Sequence, residues 1–221
     1  MASKTFFITT TRLENFSDGV FAIILTLLAF QFKVPKFSSD LNLTQNFYEL
    51  LKIAPYLLGF IFSFFFIAVF WVNHHHLYHA VKEANSALLW YNIYFLFWIT
   101  MLPFAIAMVG DHPVVPLAAV SLGFVLFMAY VAAYLLLRYS YVKSKLVDET
   151  LSYDTIDRGL TKNITAFVIT FLGILIAFKW VYISYCIYFT VLIIFIIPLK
   201  MEKRRRGSKE KTQQQLNTSI Q

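Results

Sequence analysis

Charge is scarce in this chain. Asp, Glu, Lys and Arg make up 14% of its 221 residues, while 59% are hydrophobic and 19% aromatic. Soluble domains carry about 25% charged residues, so this balance excludes an ordinary soluble protein and points to a membrane protein. Cysteine is scarcer still. Cys186 stands alone inside an apolar run, so no intrachain disulfide is possible and the redox compartment is not readable. Catalytic signatures are missing as well. There is no glycine-rich phosphate loop, no nucleophile elbow and no grouping of acids within the apolar runs, which leaves enzyme chemistry and cofactor binding without support. Residues 1–11 lack the apolar core and small-residue cleavage site of a signal peptide, so no secretory leader is expected.

What the chain does have is long apolar runs, with a mean hydropathy of +0.65. They are too long for alternating strands, so a helical bundle is expected rather than a barrel. The fold class read from the sequence is an all-α membrane protein with six transmembrane helices over residues 1–199. The spans lie at about 13–34, 46–79, 85–109, 113–138, 164–178 and 181–197. Prolines 35 and 198 close the first and last of them. The second is too long for a perpendicular crossing, so it tilts or projects. The connector from Tyr139 to Asn163 has mixed charge and reads as a solvated elbow. Residues 200–221 are basic and then rich in Gln, Ser and Thr, and read as a disordered tail.

Orientation follows from the basic residues. With the N-terminus inside, Lys33, Lys36, Lys52 and Lys179 fall outside and the other fifteen of the nineteen Lys and Arg fall inside. The positive-inside rule therefore places both termini in the cytoplasm, and it turns the net charge of +7 into a topology signal before a nucleic-acid one.

The stretch from Arg12 to Leu28 organises the chain. It opens with Arg12, Glu14, Ser17 and Asp18 and then continues without charge. An acid inside a membrane helix is costly and faces protein or water, so it marks a candidate site. The first two spans run antiparallel, which brings Ser17 and Asp18 to the same level as Trp71, Asn73, His74, His75 and His76. Two readings remain open: a structural polar pin between helices, or groups that take part in permeation. His75 and His79 share a helix face at the spacing of a zinc pair, but their only acidic partners would be Glu83 and Asp18, so no metal site is assigned. Farther along the first span, Ile23, Leu27 and Phe30 share a face with Gly19 and Thr26 at its flanks. Asp18 lies about 140° from Ile23 at 100° per residue, so the polar groups and this stripe meet different partners. By periodicity alone the stripe reads as a packing or lipid face. The aromatic clusters around residues 60–66 and 94–98 read as packing or lipid-facing too.

The motif Arg12-x-x-x-Phe16-Ser17-Asp18-Gly19-Val20-Phe21-Ala22-Ile23, followed by Thr26-Leu27-Leu28, resembles the signature of the transmembrane protein 175 family of potassium channels in its single-repeat bacterial form. Trp71-x-Asn73-His74-His75 resembles the family's second helix. The resemblance implies a homotetramer of six-helix subunits in the cell membrane, with helix 1 of each lining a central pore. It implies no carbonyl selectivity filter. The constriction would be rings of Ile23, Leu27 and Phe30, where a leucine is commoner at the last position, and Thr26 would match a position tied to potassium preference. Arg12, Phe16, Ser17, Asp18, Trp71, His74 and His75 would form a structural network. The expected partners are further copies of the chain, lipid and permeant monovalent cations, with K+ as cargo. The rival reading is a secondary or proton-coupled transporter that uses Asp18 and the His74–His76 run.

Overall fold

The computed structural model describes residues 9–31, 42–51, 53–143, 146 and 153–196. The expected basic tail, the end of the first span at Val34 and most of the loop after it lie outside the described residues. Seven α-helices fill the rest: α1 Thr10–Leu27, α2 Leu43–Leu51, α3 Ala54–Ala80, α4 Ser86–Asp111, α5 Pro116–Arg138, α6 Tyr153–Ala177 and α7 Val181–Ile196. A tighter turn, Leu28–Gln31, prolongs α1, and a wider one, Tyr139–Lys143, prolongs α5. Five of the helices are long and apolar enough to cross a membrane. α7 is shorter, and at about 1.5 Å per residue it reaches about 24 Å of a hydrocarbon layer about 30 Å thick.

Two boundaries differ from the sequence expectation. The run from 46 to 79 is divided between α2 and α3. Pro55 has no N–H to give to the carbonyl four residues back, so the ladder breaks there and restarts with Pro55 in the first turn of α3. The fifth span begins eleven residues early, at Tyr153 rather than Ile164. Ile156 and Leu160 pack against the core, so the polar connector carries a one-sided apolar spacing that extends the helix.

The helix starts are chemically defined. Thr9 caps α1 by accepting from the Arg12 amide, and Asn85 caps α4 by accepting from the Leu88 amide at 2.8 Å. The Asn85 amide also donates to the Tyr139 hydroxyl at 3.0 Å, which ties the start of α4 to the end of α5.

α5 and α6 make the most extensive helix pair, and α4 and α7 pack beside them. The α6 face in that contact is small: Asn163, Ala166, Thr170 and Ala177 are all buried. Small side chains let helix backbones approach closely, the main source of packing energy between helices in lipid. Tyr188 of α7 enters a notch between Gly123 of α5 and Gly173 of α6, and its hydroxyl donates to the Ala119 carbonyl at 3.2 Å. A Cβ at Gly123 would lie 2.6 Å from Tyr188 Cζ and 2.7 Å from Ile174 Cγ1. Tyr188 is only 1% exposed and has no room to withdraw. Gly123→Ala is expected to cost about 1–3 kcal/mol through overpacking, read as a lower thermal midpoint in detergent.

An aromatic chain crosses the bundle from α1 to α7. Phe21 meets Phe95, Phe95 meets Phe70, Phe70 meets Tyr130 and Tyr130 meets Phe195, with ring centroids 6.2, 6.0, 4.9 and 5.0 Å apart. The outer faces of the helices are apolar as well, as a lipid solvent requires.

Candidate functional site

α1 presents two unlike faces. On one, Leu13, Ser17, Phe21, Ile24 and Leu28 recur every three or four residues and are buried. They pack mainly on α3 and α4. Among them Ser17 is the single polar side chain, and it is fully buried.

Ser17 starts a hydrogen-bond chain whose polarity can be worked out. Its hydroxyl donates to the Leu13 carbonyl at 2.9 Å, which uses its only proton. Toward Asn92 of α4 it can therefore only accept, so Asn92 must present its amide nitrogen, at 2.9 Å. That fixes the Asn92 oxygen toward His74 of α3, 2.8 Å from Nε2. In the neutral ring Nε2 then carries the proton and Nδ1 is a bare acceptor. His74 is 3% exposed and stacks on Phe95 with the rings 8° from parallel at 5.4 Å.

A second polar layer lies beside the first, nearer the surface. Trp71 Nε1 donates to Asp18 Oδ1 at 2.8 Å. One helical turn on, His75 stacks on Trp71 at 5.8 Å and places Nδ1 3.2 Å from Glu14 Oε1. Asp18 and Glu14 stand four residues apart on α1, as Trp71 and His75 do on α3, so two rungs join the helices. The His75 side chain is 44% exposed, so the His75–Glu14 rung contributes little to stability.

The structure thus brings Ser17, Asp18, Trp71, His74 and His75 together. Arg12 and Phe16 stand apart. Arg12 is exposed and Phe16 is 54% exposed, on the side of α1 turned away from the cluster. The sequence reading missed Asn92, the residue that joins all three helices, and Glu14, which it noted but gave no partner. His75 and His79 approach only edge to face at 6.5 Å, and the described residues hold no group of three or more His, Cys, Asp or Glu that could bind a metal.

The opposite face of α1 is uncovered within the subunit. Ile23 is 60% exposed, Leu27 48% and Phe30 84%. Gly19, Ala22, Thr26 and Ala29 lie among them and are exposed too. This face differs from the outer face of α6, where bulky Val168, Phe171, Leu172 and Leu175 stand exposed. Its small residues would let another helix, or another copy of α1, come close. The Thr26 hydroxyl donates to the Ile23 carbonyl at 2.8 Å, so the outer side of its oxygen offers only lone pairs.

Residues 12–103, which carry both faces of α1 together with α3 and most of α4, match a family model described as the endosomal/lysosomal potassium channel TMEM175. A potassium channel of Chryseobacterium sp. (strain P1-3) is 33% identical over 189 residues, 86% of this chain and 93% of that protein. A potassium channel of Chamaesiphon minutus is 39% identical over 114 residues, 51% of this chain and 55% of that protein. Among solved structures, a lysosomal potassium-selective channel TMEM175 homolog from Chamaesiphon minutus superposes with a TM-score of 0.73 at 27% identity, covering 85% of this chain and 96% of that one.

Proposed function

Because the chain belongs to the transmembrane protein 175 family, a family of ion channels and not of enzymes, we propose that it is a potassium-permeable channel. Four copies, each with six spans in residues 1–199, surround one pore lined by α1. The sixth span is α7, Val181–Ile196. Both termini, and with them the basic tail 200–221, lie in the cytoplasm, and the channel resides in the cell membrane.

The observation that carries this reading is the pair of unlike faces on α1. One face is fastened to α3 and α4 by buried polar bonds, while the other is uncovered, apolar and lined with small residues. Four-fold symmetry turns each side chain on the uncovered face into a ring. Ile23, Leu27 and Phe30 then form the constriction, about 10 Å long at 1.5 Å per residue. Apolar rings conduct when wet and close by dewetting, without carbonyl groups that replace the ion's shell. Weak to moderate preference for potassium over sodium follows. Thr26, with its lone pairs turned to the uncovered face, is the side chain suited to bias that preference. Ser17, Asp18, Trp71, His74 and His75 hold α1 in place, with Asn92 at their centre. Arg12 and Phe16 are assigned to the same structural network on the family resemblance alone, since within the subunit both stand apart from the cluster.

The transporter reading is weakened by the hydrogen bonds themselves. A proton relay through Asp18 and the His74–His76 run needs neighbours that both accept and release protons, whereas Asp18 meets the Trp71 indole N–H, a donor only, and His74 meets the Asn92 amide. Single-channel recording of reconstituted protein under a potassium/sodium gradient tests the proposal. Unitary currents well above carrier turnover, with a reversal potential shifted toward potassium, are expected; flux without resolvable unitary steps would overturn it. Asp18→Asn should leave the unitary conductance within about twofold while lowering the yield of tetramer, since it weakens a charge-assisted bond and not a conducting group. Loss of all current in a well-formed tetramer would restore the transporter.

A further inference from the structure

A small pocket lies where α3, α4, α5, α6 and α7 converge, next to the end of the hydrogen-bond chain. Its walls include Phe70, His74, Phe95, Ala133, Asn163 and Phe195. Two of these residues carry buried acceptors with no hydrogen-bond partner among the described residues: His74 Nδ1 and Asn163 Oδ1. The residues are 3% and 7% exposed. Asn163 uses its amide nitrogen to donate to the Gly159 carbonyl at 3.0 Å, which fixes its oxygen as the free end. Ser17 and Asn92 fix His74 Nδ1 as bare in the same way. Two acceptors therefore border one pocket, and each lacks a donor.

Leaving both unsatisfied would cost about 1–3 kcal/mol apiece. The Asn73 amide, which also lines the pocket, is committed elsewhere: it donates to the Val69 carbonyl at 2.8 Å and the Phe195 carbonyl at 3.3 Å. The cavity volume is about 50 Å³. A water needs about 10–15 Å³ on this measure, whereas a dry cavity that takes benzene is about 150 Å³. The space suits a few waters and is too small for an aromatic or lipid group. We propose that the pocket is a built hydration site, whose water donates one proton to His74 Nδ1 and the other to Asn163 Oδ1. The polar chain then does not end at His74. It runs from Ser17 of α1 through Asn92 of α4 and His74 of α3, across the water, to Asn163 of α6. It links the helix with the uncovered face to the tightly packed α5–α6 half of the bundle, which α1 touches little directly. The proposal does not depend on what the protein conducts.

Two measurements test it on the full chain. A structure of the wild-type protein at a resolution that shows ordered solvent should contain a water within hydrogen-bond distance of both atoms. Thermal midpoints of Asn163→Leu, His74→Phe and the double variant should form a non-additive cycle. Asn163→Leu alone should lower the midpoint by about 2–8 °C, the scale for one stranded buried acceptor in a chain of this size. In the His74→Phe background the same change should cost less than half as much, because no partner remains to be stranded. A dry pocket, or additive losses, would overturn the proposal. Should the variants fail to fold, the wild-type solvent density decides alone.

Discussion

Ile23→Asn is expected to raise the unitary potassium conductance, or the fraction of time the pore conducts, by at least about tenfold. That factor corresponds to about 1.4 kcal/mol taken off the barrier at the proposed constriction, a modest demand on the four substitutions that the proposed tetramer would carry. An apolar ring is a barrier because water at its level has too few partners, so the column of water breaks and an ion would have to shed its shell to pass. Leaving a polar group without hydrogen bonds in apolar surroundings costs several kcal/mol, which sets the scale of the penalty an apolar ring imposes on water and ion. An Asn amide gives and accepts hydrogen bonds, and four of them at one level would keep the column wet. Ile23 makes the cleanest target because its side chain stands clear of the polar cluster and is 60% exposed within the subunit. The substitution should therefore disturb the subunit fold little. Were the face turned to lipid instead, four buried amides would lower insertion and assembly and leave conductance unchanged. Single-channel recording beside native gel analysis separates the two: a well-formed tetramer with wild-type conductance sinks the assignment of Ile23 to the constriction.

Much of this was legible in the sequence, for physical reasons that differ from residue to residue. Charges and histidines inside apolar runs are costly, so Asp18, Trp71, His74 and His75 could be matched by depth across antiparallel helices, and the structure brings them together. Asn92 obeys the same rule yet was passed over. It is uncharged and sits between Tyr91 and Ile93 in a strongly apolar run, where aromatic density drew the reading toward packing. The rule that finds it is that any amide in a membrane helix needs a named partner. Arg12 was read with the cluster because the family resemblance implies it, but its place on the helix turns it outward. The division between α2 and α3 was visible in Pro55, but the apolar residues on both sides of it read as one span. The early start of α6 rested on two apolar residues four apart, Ile156 and Leu160, inside a charged segment, too faint a spacing to compete with the charge. The uncovered face of α1 shows the opposite limit. Periodicity finds such a stripe but cannot say whether lipid, a second copy or water will meet it.

Asn92→Leu is expected to be the most damaging single substitution among the polar residues, more so than any change to Asp18. Leu keeps the branched outline of Asn but is bulkier, so the main loss is one of hydrogen bonding, with some overpacking beside it. Two groups are stranded at once. The Ser17 hydroxyl loses the donor to its free lone pairs, and His74 loses the acceptor for its Nε2 proton, both in positions sealed from water. Each stranded group costs about 1–3 kcal/mol, for about 2–6 kcal/mol in all, a large share of the margin that keeps an ordinary domain folded. By contrast, the Trp71–Asp18 bond lies in the half-exposed layer, where Trp71 is 37% exposed and solvent can take over part of the loss. The sharper form of the prediction is a rescue. Replacing all three partners by apolar groups of similar shape, Ser17→Ala with His74→Phe and Asn92→Leu, strands neither Ser17 nor His74 and should recover much of the lost thermal midpoint. Size-exclusion profiles of detergent-extracted protein across a temperature ramp give the readout. A triple variant no more stable than Asn92→Leu would mean that the chain is valued for something other than satisfied bonds, and that the polar cluster does more than hold α1 against α3 and α4.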